Sequence, residues 1–76
     1  MNDELLGRIP PNDMEAEQAV LGSMLVDKDA VLTVLEILKP EDFYRNEHAE
    51  IYGAILDLYE AGKPIDLLTL KEQLRI

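Results

Sequence analysis

Cysteine is missing from this chain of 76 residues, so neither a disulfide framework nor a thiolate metal site can hold it together. Histidine occurs once, at His48, whereas a metal site needs several matched ligands. Positive charge is scarce: seven lysines and arginines stand against sixteen carboxylates, for a net charge of −9. Those seven (Arg8, Lys28, Lys39, Arg45, Lys63, Lys71 and Arg75) are scattered along the sequence. Nucleic-acid affinity rests on phosphate contacts from concentrated positive charge, so the chain is a poor candidate for gripping DNA by itself. No apolar run approaches the ~20 residues that a membrane span requires. The opening MNDELLGRIPP lacks the basic start and continuous apolar region of a secretory signal. A cytoplasmic protein without membrane contact, stabilised by packing alone, is the expectation.

Phosphate-binding loops are missing too. The four glycines, at 7, 22, 53 and 62, lie too far apart for a dinucleotide fingerprint. A Walker loop needs glycine amides to wrap the phosphates, then Gly-Lys followed by Ser or Thr. Here Pro64 follows Gly62-Lys63, and Asp57 stands where the first glycine belongs. His48 has no orienting partner legible in sequence and reads as structural or surface. Ser23 and Thr33 have no triad companions. Glu15/Glu17 and Asp27/Asp29 read as helix-capping and dipole residues rather than acid–base couples. No catalytic, cofactor-binding, metal-binding or nucleic-acid-binding residue is therefore expected.

What the chain does have is helical periodicity. Its hydrophobic fraction of 47% suits one small folded domain. A domain near this size buries only about 60% of its unfolded surface, so a neighbour or partner often completes the core. Residues 1–11 read as an arm held extended by Pro10 and Pro11, with the helical domain over 12–76. Asn12 is the expected N-cap of the first helix, Asp13 to Val26, with Glu15 completing a capping box. Ala16, Val20, Leu21, Met24 and Leu25 form its apolar stripe. Gly22 marks either close approach of another helix or a tolerated defect costing ~1 kcal/mol.

Asp27 or Asp29 caps a second helix with Val31, Leu32, Val34, Leu35, Ile37 and Leu38, apolar on most of its circumference. That helix is either central in the core or shared with a partner. Pro40 ends it and opens a short turn, 3₁₀ or α, that folds Phe43 and Tyr44 back onto the helices. Asn46 is expected to cap a third helix, with Gly62 as its C′ residue and Pro64 barring continuation. Its inner face is Ile51, Ile55, Leu58 and Tyr59, flanked by Tyr52 and Leu56. Tyr44, Tyr52 and Tyr59 have acidic neighbours, so core or protein-interface packing suits them better than stacking on nucleic acid. Asp66 caps a fourth helix with Leu67, Leu68, Leu70 and Leu74, which reaches Ile76 without a stop signal. The expected core is thus Val20, Leu21, Met24, Leu35, Phe43, Ile51, Ile55 and Tyr59, in an all-α bundle of about four helices.

Three strings in register add a resemblance. E-A-E-x-A-V-L-G at Glu15–Gly22, P-E-D-F-Y at Pro40–Tyr44 and G-K-P-I-D at Gly62–Asp66 make the chain similar to the N-terminal domain of bacterial replicative helicases of the DnaB family. The resemblance implies the head of a helical collar domain, C-terminally incomplete, that would continue into a helical hairpin, a linker and a RecA-like motor. It implies a hexameric ring, with other helicase subunits, primase and a helicase loader as partners. ATP and magnesium would belong to the motor of the parent protein, an ATP-dependent 5′–3′ helicase, which would also make the main DNA contacts. No cofactor is implied for the residues present. An independent small helical adaptor is the competing expectation. It differs in requiring a reading frame that stops after Ile76.

Overall fold

Short caps and one-residue corners set the path of the chain. The computed structural model describes residues 13–76, so Asn12 and the 1–11 arm lie outside the described residues. The helices are α1 (Met14–Val26), α2 (Lys28–Ile37), α3 (Asn46–Glu60) and α4 (Leu67–Leu74). A 3₁₀ turn, Pro40–Asp42, separates α2 from α3, and the described residues contain no strand.

The cap of α1 is Asp13, whose Oδ1 accepts the Ala16 N–H at 2.9 Å. With the cap at 13, the capping-box position falls on Ala16, so Glu15 has no box to complete and is exposed. At the α1–α2 corner Asp27 serves both helices. Its N–H donates to the Ser23 carbonyl, and its Oδ1 accepts the Asp29 N–H. Gly62 takes φ +71 after α3, which lets its N–H reach the Tyr59 carbonyl and that of Lys63 reach Leu58. This pair of bonds satisfies the last turn, and a side chain at this φ would be strained. Asp66 caps α4 in a reciprocal box with Thr69. Arg75, at φ 62, closes α4 with the same pair of bonds, Arg75 N–H to Glu72 and Ile76 N–H to Lys71.

One core draws on every helix: Leu21 and Met24 of α1, Val31 of α2, Tyr52, Ala54 and Ile55 of α3, and Leu70 of α4. Leu38 and Phe43 join it from the α2–α3 connection. Val20, Leu35 and Ile51 are half-buried at its edge. Tyr59, an expected core residue, is 43% exposed. Ile55 and Leu58 are buried on the expected inner face of α3, and the row His48–Tyr52–Ile55, at i, i+4 and i+7, is buried where Tyr59 is not. Tyr52 holds the centre of that face. Its hydroxyl donates to the Leu38 carbonyl at 2.7 Å, and its ring lies 5.0 Å from that of Phe43. Burial, and secondarily the Asp42 carboxylate, raises the Tyr52 pKa, so the hydroxyl stays a donor.

The α2 helix is peripheral: Val31 is its one buried residue, while Leu32 and Ile37 are exposed. Gly22 has nothing within 4 Å of where a Cβ would stand, so no helix makes close approach there.

Ile55 and Tyr59, both on the expected inner face of α3, give a direct contrast. Ile55→Ala, at a fully buried position, is expected to cost ~2–5 kcal/mol in urea unfolding. Tyr59→Ala is expected to cost no more than about 1 kcal/mol. Equal losses would restore Tyr59 to the core.

Candidate functional site

Glu17 belongs to the inner stripe of α1, one turn before Leu21 and two before Met24. His48 holds the equivalent place on α3, one turn before Tyr52 and two before Ile55. Each apolar stripe therefore ends in a polar residue, an acid on one helix and an imidazole on the other. Packing α1 on α3 brings the two together, with His48 Nδ1 2.6 Å from Glu17 Oε1. Glu17 is 0% exposed and His48 7%.

The carboxylate has further donors. Glu17 Oε2 accepts the Tyr44 N–H at 2.6 Å, and Oε1 accepts that of Arg45 at 3.4 Å. Asn46, the expected cap of α3, is instead its first helical residue, and Arg45 is the extended cap residue without a side-chain cap bond. A cap must have non-helical backbone, which Asn46 lacks. Glu17 reaches across from α1 and answers the backbone donors at this helix entry instead.

Burial is the largest influence on the Glu17 pKa and raises it. The His48 hydrogen bond, the Tyr44 and Arg45 amides and the His48 charge together more than offset it. The carboxyl is therefore held below its ordinary value, as an acceptor, and Nδ1 of His48 is the donor.

A carboxylate–imidazole pair can also serve catalysis, but both groups here are buried. The groove of about 560 Å³ lies elsewhere, between the α1–α2 corner and the α3–α4 connection, and neither Glu17 nor His48 lines it. Among the described residues no three His, Asp or Glu side chains are grouped to hold a metal ion. The pair is a structural joint. It fixes the backbone that presents Tyr44, 61% exposed, and the Arg45 side chain, which pairs with Glu47 at 3.3 Å. Sequence reasoning assigned Glu17 to the helix dipole. Its shared stripe with Leu21 and Met24 was the signal that it points inward.

Several large apolar side chains stand on the surface. Leu32 and Ile37 of α2, Leu67 and Leu68 of α4, Val26 at the corner, and Tyr44 are all exposed. A model of the DnaB-like helicase N terminal domain family matches residues 9–76. The chain belongs to that family. Over 71 residues it is 54% identical to the replicative DNA helicase DnaB of Mycobacterium leprae, a match covering 93% of this chain and 12% of that protein. The Bacillus subtilis replicative DNA helicase DnaC is 46% identical over 74 residues, 97% of this chain and 16% of that protein. In fold, the chain superposes on the crystal structure of the N-terminal domain of DnaB helicase from Mycobacterium tuberculosis with a TM-score of 0.83 and 54% identity. That match covers 88% of this chain and 48% of the other. The family accounts for the all-helical head. The chain spans only 12% and 16% of the length of the two helicases named. No helix among the described residues is long and apolar enough to cross a membrane.

Glu17→Gln is expected to lower stability by about 3 kcal/mol, because it removes one partner of a buried pair. The pH dependence has a definite sign. A carboxyl whose folded pKa lies below its ordinary 4.5 contributes fully above that value, and its contribution is lost as pH falls through the folded pKa. Wild-type protein should therefore lose stability on acidification below about pH 4.5, and Glu17→Gln should lack that part of the slope. Parallel stability–pH curves would remove Glu17 as the cause.

Proposed function

We propose that this chain is the head of the collar domain of a hexameric replicative DNA helicase, an assembly and partner-docking module without chemistry of its own. Membership of the DnaB-like N-terminal family over residues 9–76 is the observation that carries this reading. The exposed apolar residues on α2 and α4 fit it. A small head with so much uncovered aliphatic surface is suited to meet other subunits or partner proteins. The bundle supplies rigidity: the Glu17–His48 joint and the Tyr52 bond to Leu38 hold the helices in fixed register, so their outer faces form a definite surface.

In the parent protein, ATP and magnesium belong to a motor outside these residues, and that motor makes the main contacts with DNA. The net charge of −9 agrees with a head that meets proteins rather than phosphates. Primase and a helicase loader are the proposed partners, along with neighbouring subunits, and replication in the cytoplasm is the proposed setting.

The test is full-length helicase compared with the same protein lacking residues 1–76. Single-stranded-DNA-stimulated ATP hydrolysis by the shortened protein is expected to stay within about threefold of the parent, since every motor residue is retained. Stimulation of primer synthesis by primase, and hexamer persistence on dilution, are expected to fall about tenfold or more. Undiminished primase stimulation and an intact ring would refute the assignment.

A further inference from the structure

We draw no further inference here: the strongest candidate, the groove between the α1–α2 corner and the α3–α4 connection, is lined by two aspartates and two lysines among apolar side chains, and nothing in the structure shows what covers it.

Discussion

A carboxylate without exposed surface is costly unless its oxygens are answered by donors, and the meeting of α1 and α3 is organised around that constraint at Glu17. One side chain collects the His48 imidazole and two backbone amides from the loop entering α3. The apolar core sets how closely the two helices approach. The carboxylate sets where along their lengths they meet, since a slide of one helix would leave a buried charge unpaired. Hydrophobic burial is non-directional and cannot supply that register. Tyr52 does similar work one turn further along α3, by closing the Leu38 carbonyl at the end of α2.

The parts of this fold legible in sequence were those governed by local chemistry. Gly62 sits at a positive φ, Asp66 caps α4, and Asp27 is the one of two candidate aspartates that caps α2. Where neighbouring residues compete, local rules slipped by a position, as with Asp13 at the start of α1 and Arg45 at that of α3. The bond at the entry to α3 was out of reach of local rules, because the acceptor for the Tyr44 N–H comes from a residue 27 positions earlier. Polarity misled in a second way. By residue type Glu17 reads as a capping and dipole residue and His48 as structural or surface, although each lies on the same helical row as buried apolar residues. Tyr59 reads as inner face by its helical spacing with Ile51, Ile55 and Leu58, yet it lines an open groove.

A head built this way separates two tasks. The inner joint and core give a rigid body, while α2, α4 and the groove between the α1–α2 corner and the α3–α4 connection leave aliphatic groups available outside. Rigidity favours docking because little conformational freedom is lost on binding. The family to which the chain belongs is known by its motor, yet nothing in these residues resembles motor chemistry.

Residue-resolved hydrogen exchange of the Tyr44 and Arg45 amides tests the central role of Glu17 most directly. At neutral pH both amides should be protected well above the level of an exposed loop. That protection should fall in Glu17→Gln, while amides in the middle of α4 keep theirs. Exchange of Tyr44 and Arg45 at unprotected rates in the wild-type protein would contradict the joint itself.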